Sequence, residues 1–265
     1  MKVIELSAWD LAAASGLVVI AGVIGLVLRL GITQQLAVAA LRTVVQLTAI
    51  GYVLEWIFGL DNAPAVAAIC GVMLAAAGHA AVGRSERGYD GALWRAMATL
   101  VITGVLTTLA VTQVIVGVEP WYAPQYIIPL MGMILGNTLT GLSLSLDALL
   151  VRFDDRRDRI EAALSLGATR KEAVGEVVAE AVRRGMVPIL NSMTVVGLVS
   201  LPGMMTGQIL GGVDPLVAVG WQIVVMFMLA ASNALAATLL ALWTVQRLFD
   251  GDRRLEVERI TRKDR

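Results

Sequence analysis

Seven stretches of this chain are long and apolar enough to cross a lipid bilayer as helices, and nothing else in it limits the fold so strongly. They cover residues 11–30, 36–58, 63–82, 93–118, 126–151, 186–210 and 216–248. A crossing needs about 20 apolar residues at 1.5 Å rise to traverse about 30 Å of hydrocarbon. In lipid a helix satisfies its own backbone hydrogen bonds, whereas an open strand does not. No segment shows the alternation of a membrane barrel. With 57% of its 265 residues hydrophobic and 16% charged, the chain carries too little charge for a water-soluble domain of this length. The expectation is an all-α polytopic membrane protein of about seven helices, one transmembrane domain over residues 1–265.

The charges that remain are unevenly placed. Lys+Arg and Asp+Glu balance at 21 each, which gives no reason to expect nucleic acid as a partner; the lipid bilayer is the expected surroundings. Between Arg152 and Arg184 lie 8 of the basic and 7 of the acidic residues, with apolar segments on both sides. If this segment (152–185) is cytoplasmic, Arg29, Arg84, Arg87 and the tail from Arg247 to Arg265 fall on the same side, and Lys2 alone falls on the other. The positive-inside rule then places the N-terminus outside and the C-terminus in the cytoplasm of a multi-pass membrane protein. The first segment is too long for a signal peptide and begins with Lys2 beside Glu5 and Asp10, so a retained helix is expected. Cys70 is alone, which excludes an intrachain disulfide and a cysteine metal cluster.

The charged segment reads as two short helices with a joint between them. Residues 152–166 form an amphipathic pattern, with Ile160, Ala163, Leu164 and Leu166 among the charges. Gly167 supplies the left-handed conformation at which helices often stop. Thr169 and Glu172 have the Ser/Thr-x-x-Glu spacing of a capping box, so a second helix starts there and runs to Arg183 and Arg184. One reading lays this segment on the headgroups as an amphipathic loop. The other makes it a stiff lever whose corner docks in a groove of a soluble motor protein. No Gly-x-x-x-x-Gly-Lys-Ser/Thr loop surrounds Lys2, Lys171 or Lys263, so any ATP and Mg would be held by a separate ATPase chain, with no cofactor on this one.

Polar and glycine-rich faces mark the fifth and sixth segments. Gly132 and Gly136 have the spacing that allows close helix approach. Asn137, Thr140, Leu144 and Asp147 share a face, read either as packing or as the lining of a hydrated path. In the sixth segment Gly203, Gly207 and Gly211 recur every four residues, and Pro202 is expected to kink the helix. Pro202, Gly203, Met204, Met205 and Gly207 are therefore the candidate gate, with a tightly packed helix as the alternative. Arg42 and Gln46 share a face of the second segment; an intramembrane charge is a functional hint, and Arg42 either snorkels to the headgroups or pairs with Asp147. Glu55, Met131 and Met133 are weak candidate metal ligands, since thioethers suit Cu(I) but methionine also fills cores. His79 has no ligand neighbours in sequence.

Several blocks resemble known permeases. Glu161-Ala162-Ala163 followed by Gly167 is similar to the coupling segment of ABC importer permeases, without the Ile-x-Leu-Pro that follows there. Leu41-Arg42-Thr43-Val44-Val45-Gln46, Ile128-Pro129 through Gly136-Asn137, Leu164 through Thr169, Val196-Gly197 through Gly207, and Gly212-Val213-Asp214-Pro215 resemble the FetB-type permeases. The resemblance implies the membrane subunit of an ABC transporter with a separate ATPase subunit, two permease copies, and iron export in bacteria. It implies for plant relatives a link to aluminium tolerance with a nucleotide sugar as cargo. It makes Glu161, Ala162, Ala163, Leu164, Leu166, Gly167, Ala168, Thr169 and Glu172 the expected ATPase-coupling surface. An ion-coupled secondary transporter is the rival class, although such proteins usually carry a carboxylate or broken helices at mid-membrane. A membrane enzyme would need a clustered catalytic set, which this sequence lacks.

Overall fold

The apolar segments fold into long helices, and the charged segment folds against their ends. In chain order these are α1 (Ala8–Val27), α2 (Thr33–Phe58), α3 (Ala63–Arg84), α4 (Ala92–Leu109), α5 (Pro124–Asp155), α6 (Arg157–Ser165), α7 (Arg170–Val195), α8 (Gly203–Leu210) and α9 (Pro215–Leu248). A π-helical turn, Ala110–Val116, prolongs α4. This computed structural model describes residues 7–59, 62–84, 87–250 and 254–262, so Lys2, Asp61 and Lys263 lie outside the described residues.

Among the described residues, 6 helices are long and apolar enough to cross a membrane: α1, α2, α3, α4 with its extension, α5 and α9. The seventh expected crossing, 186–210, is not one helix. Its first part belongs to α7, which continues unbroken from the charged elbow, and the chain leaves helical geometry after Val195. Gly197 there has φ +83°, a left-handed conformation that suits glycine. Pro202 is extended and stands immediately before α8, so it begins a helix rather than kinking one. The glycine stripe also differs from expectation. A Cβ built on Gly203 or Gly207 would meet nothing within 4 Å, so no neighbouring helix leans on either glycine.

α5 is the central post, in contact with α3, α4, α7 and α9. Its Leu142, Leu146, Leu149, Leu150 and Phe153 are fully buried in one apolar cluster with residues of α3, α7 and α9. α5 and α7 approach backbone to backbone at Gly141 and Gly185, where a Cβ on either would lie 2.7 Å from the other's carbonyl oxygen. The expected Gly132–Gly136 pair does less: a Cβ at Gly132 would meet Met73 Cε at 3.2 Å, and one at Gly136 would meet nothing within 4 Å. On α4 and its π-helical extension, buried Thr99, Thr103 and Thr112 donate back to the carbonyls of Arg95, Thr99 and Thr108, which lets hydroxyls sit in an apolar interior. α1 and α2 pack on each other, α2 joins the bundle core through Leu54 and Ile57 at its C-terminal end, and none of the apolar window of α2 is buried.

The elbow forms as its local sequence dictates. Gly167 has φ +94°. The Thr169 hydroxyl accepts from the Glu172 amide, while the Glu172 carboxylate accepts from the Thr169 amide at 2.8 Å. That bond and the one from the Thr169 hydroxyl hold the Glu172 carboxyl below the usual carboxylate range, the hydroxyl having the larger effect. Thr169→Ala is expected to cost about 1 kcal/mol of stability and to speed amide exchange in the first turn of α7. Hydrogen-exchange mass spectrometry of that peptide reads the change directly.

Short strands close the same end, an addition to the all-α expectation. β1 (Arg87–Tyr89) pairs antiparallel with β4 (Ile260–Arg262), and β2 (Phe249–Asp250) with β3 (Arg254–Leu255). The Tyr89 hydroxyl lies 3.0 Å from Thr244 Oγ1, and Leu255 is buried in the cluster that contains Phe153. The described part of the tail is thus folded under the bundle.

Candidate functional site

Two features stand out, a cross-braced elbow at one end of α7 and a mainly apolar cavity with a few polar groups at the other. At the elbow, one carboxylate joins three arginines. Glu180 of α7 accepts from Arg152 Nη2 at 2.7 Å and Nε at 3.0 Å, from Arg156 Nη2 at 3.3 Å, and faces Arg184 at 3.9 Å. The hydrogen bonds from Arg152 hold its carboxyl below the usual range, with Arg156 and Arg184 adding to the effect. Glu176 pairs with Arg156 and Arg159, each at 3.4 Å. Arg157 bridges Glu161 at 2.9 Å and Glu258 of the tail at 3.0 Å, and Arg87 reaches Asp154 at 2.7 Å. The end of α5, α6, the start of α7 and the tail therefore form one charge-stitched block.

The sequence-derived coupling residues divide by exposure. Leu164 packs on the core, Ala163 and Ala168 are half-buried, and half-buried Glu161 is engaged by Arg157. Ala162, Gly167, Thr169 and Glu172 face out, and Leu166 is 90% exposed at the apex. An apolar side chain presented so fully on a braced turn is suited to a partner's groove.

At the other end of α7 lies a cavity of about 320 Å³, bounded by α5, the break after α7, α8 and α9. Its polar and sulfur groups come from Met133, Asn137, Ser192, Ser200, Met204, Gln222 and Met226. A smaller cavity of about 180 Å³ shares Met133 and Met204 and adds Gln125, Gln208 and the Tyr126–Trp221 ring pair, 5.8 Å between centroids. Gln222 is 6% exposed and its Oε1 has no hydrogen-bond partner, as is also true of Gln208 Oε1. Buried amides left unbonded are costly, and here they face space that a polar solute can fill. Every group around the larger cavity is neutral. It can replace part of a hydration shell with amide, hydroxyl and thioether dipoles, but it offers no anionic ligands.

The structure gathers only part of the predicted pathway set. Asn137 and Met204 line the larger cavity with Pro202 and Gly203, while Thr140 and Asp147 lie farther along the same face of α5. Met205 and Gly207 do not line it. Arg42 and Gln46 are exposed on α2, and Arg42 is not paired with Asp147 in this chain. The weak metal set is not assembled. Met131 is buried and its sulfur accepts from Thr108 Oγ1 at 3.7 Å, Met133 borders the cavities, and Glu55 is exposed on α2. Among the described residues no group of three His, Cys, Asp or Glu side chains could hold a metal ion. Sequence reasoning passed over Gln222 and Glu180. An amide inside the apolar run of α9 signals the first. The i, i+4 pattern Glu176, Glu180, Arg184 signals the second.

Known proteins show the same pattern along nearly the whole chain. A family profile described as Uncharacterised protein family (UPF0014) matches residues 8–249. Similar proteins include the Probable iron export permease protein FetB of Escherichia coli, 32% identical over 96% of both chains. The UPF0014 membrane protein YjkA of Bacillus subtilis is 36% identical over 83% of this chain and 87% of its own. Protein ALUMINUM SENSITIVE 3 of Arabidopsis thaliana is 32% identical over 85% of this chain and 81% of its own. No solved structure matches. With membrane-length helices and matches that cover most of its length, this chain belongs to the UPF0014 family of membrane proteins, in company with the FetB permease.

Proposed function

We propose that the chain is the permease subunit of an ATP-driven exporter, with its elbow in the cytoplasm, its N-terminus outside, and ATP and Mg bound by a separate ABC ATPase subunit. The observation that carries this is the exposed Leu166–Gly167 apex on a charge-braced block, joined by the continuous helix α7 to the cavity that Asn137, Ser192 and Gln222 border. Closure of an ATPase groove around that apex moves α7, and α7 forms one wall of the cavity.

Iron is the proposed cargo, by similarity to the protein named a probable iron export permease. A cavity of about 320 Å³ has room for about ten waters at roughly 30 Å³ each. Neutral donors suit an ion that keeps much of its own water or chelating shell, because a stripped multivalent cation needs anionic oxygen ligands.

The test is co-purification with the ATPase, followed by ATP-dependent iron flux in proteoliposomes. Flux is expected only with both subunits and ATP. Gln222→Leu is expected to leave folding intact, since it removes an unbonded buried amide, while lowering flux. Iron fails as cargo if the complex hydrolyses ATP without regard to iron and responds to another solute. The permease role fails if flux proceeds without the ATPase.

A further inference from the structure

The methionines of this chain are not spread evenly. Six of the 11, Met133, Met186, Met193, Met204, Met226 and Met228, belong to the apolar cluster that also gives Ile189, Val225 and Leu229 to the larger cavity. Three of the six reach the cavity wall, each from a different helix: Met133 of α5, Met204 of α8 and Met226 of α9. Two of these have an amide that borders the same space, Asn137 four residues after Met133 and Gln222 four before Met226. That spacing puts each pair on one face of its helix, so amide and thioether come to the cavity together.

Exposure falls from the mouth of the cavity to its floor. Asn137, Ser192 and Ser200 are exposed, Met133 and Met204 half-buried, and Gln222 and Met226 buried. Hydroxyls and an amide at the mouth therefore give way to thioethers and a second amide behind them. Simple core packing does not call for an amide whose oxygen is enclosed and unbonded, as Gln222 Oε1 is. Asn137 donates from Nδ2 to the Met133 carbonyl at 3.0 Å, which leaves its own oxygen to accept. The sulfur of Met131 is occupied by Thr108, but among the described residues no hydrogen bond reaches the sulfur of Met133, Met204 or Met226.

All of these donors are neutral, and three of them are soft. A bare divalent or trivalent ion needs anionic ligands, which this wall lacks. Na⁺ and K⁺ carry less charge but are hard ions that bond poorly to sulfur. A soft monovalent ion meets both conditions: dehydration costs least at the lowest charge, and thioether sulfur selects Cu(I). Methionine has three rotatable bonds, so sulfurs on the wall of one cavity can close on an ion without moving the backbone. We infer that the larger cavity is a Cu(I) site, with Met133, Met204 and Met226 as sulfur ligands and the Gln222 oxygen turned toward the ion. Cu(I) is held there without its water, whereas the iron proposed as cargo keeps its own shell. The site therefore stands independently of iron export.

The test uses the full chain in detergent, without an ATPase and with any purification tag removed. A Cys70→Ala background takes away the one thiol. Ag(I) serves as a stand-in for Cu(I) that needs no reductant. Calorimetric titration in chloride-free buffer is expected to show one Ag(I) bound per chain, displaced by Cu(I) under ascorbate and not by Zn(II) or Na⁺. Met133→Leu, Met204→Leu and Met226→Leu nearly conserve volume, so the fold should persist. Each is expected to weaken binding at least tenfold, and the three together to abolish it. Met228→Leu, in the same cluster but off the cavity wall, is expected to bind as its parent does. X-ray absorption of the copper-loaded parent, which needs no ligand variant, should show mainly sulfur around the metal. Absence of Ag(I) binding, unchanged binding in the triple variant, an equal loss in Met228→Leu, or a copper shell of oxygen and nitrogen overturns the proposal. Iron flux through the assembled exporter is a separate measurement, and either result can fail without the other.

Discussion

Gly185→Ala is expected to destabilise the folded bundle, whereas Gly175→Ala, on the same helix, is expected to stabilise it. A Cβ at position 185 would lie 2.7 Å from the Gly141 carbonyl oxygen, 3.0 Å from Ser145 Cβ and 3.3 Å from Ala237 Cβ. The first neighbour is backbone and cannot rotate away, so α7 must move off α5 and α9 together. Overpacking of this kind costs about 1–3 kcal/mol, and this site belongs at or above the upper end because three helices share it. At Gly175 a Cβ meets nothing within 4 Å, and replacing an exposed helical glycine gains roughly 0.5–1 kcal/mol. Thermal unfolding in detergent should move in opposite directions for the two variants. A parallel loss in both would mean that α7 does not pack as described.

The second large effect is expected at Glu180, whose carboxylate holds Arg152 and Arg156 and faces Arg184. Glu180→Lys leaves four cations where one anion had joined three, and the block formed by α5, α6 and α7 should come apart electrostatically. In the proposed exporter, ATP hydrolysis by the assembled complex should then continue while flux falls to background. Full flux in this variant would remove the elbow from the mechanism. Glu180→Gln gives the pH signature. The depressed carboxyl stabilises the fold fully above its ordinary unfolded-state range and loses that contribution as acidification passes through the lowered folded value. Melting temperature followed from neutral to acidic pH should drop less steeply in Glu180→Gln than in the unaltered chain.

What could be read from the sequence was whatever depends on near neighbours. The stop at Gly167 and the Thr169–Glu172 box involve residues three to five apart, and local chemistry decides them. The apolar segments announced membrane helices because lipid accepts little else. The continuity of α7 was hidden because an apolar window ends at Arg183 and Arg184, while helix propensity and hydrogen bonding do not. Pro202 was misplaced for a related reason: proline fits the first turn of a helix as well as a kink, and only the left-handed Gly197 upstream shows which applies. The Gly141–Gly185 contact joins residues far apart in sequence, as does the cavity that brings Gln222 of α9 to Asn137 of α5. Strands of two or three residues are too short to leave an alternating pattern.

The 26 residues of α7 measure about 39 Å from the capped turn at Thr169 to the break beyond Val195. Angular motion is magnified over such a length: a tilt of about 4° about one end sweeps the other through roughly 2.7 Å, close to the width of a water molecule. The wall that Ser192 lends to the cavity can therefore admit or expel a single hydration layer through a rotation of only a few degrees.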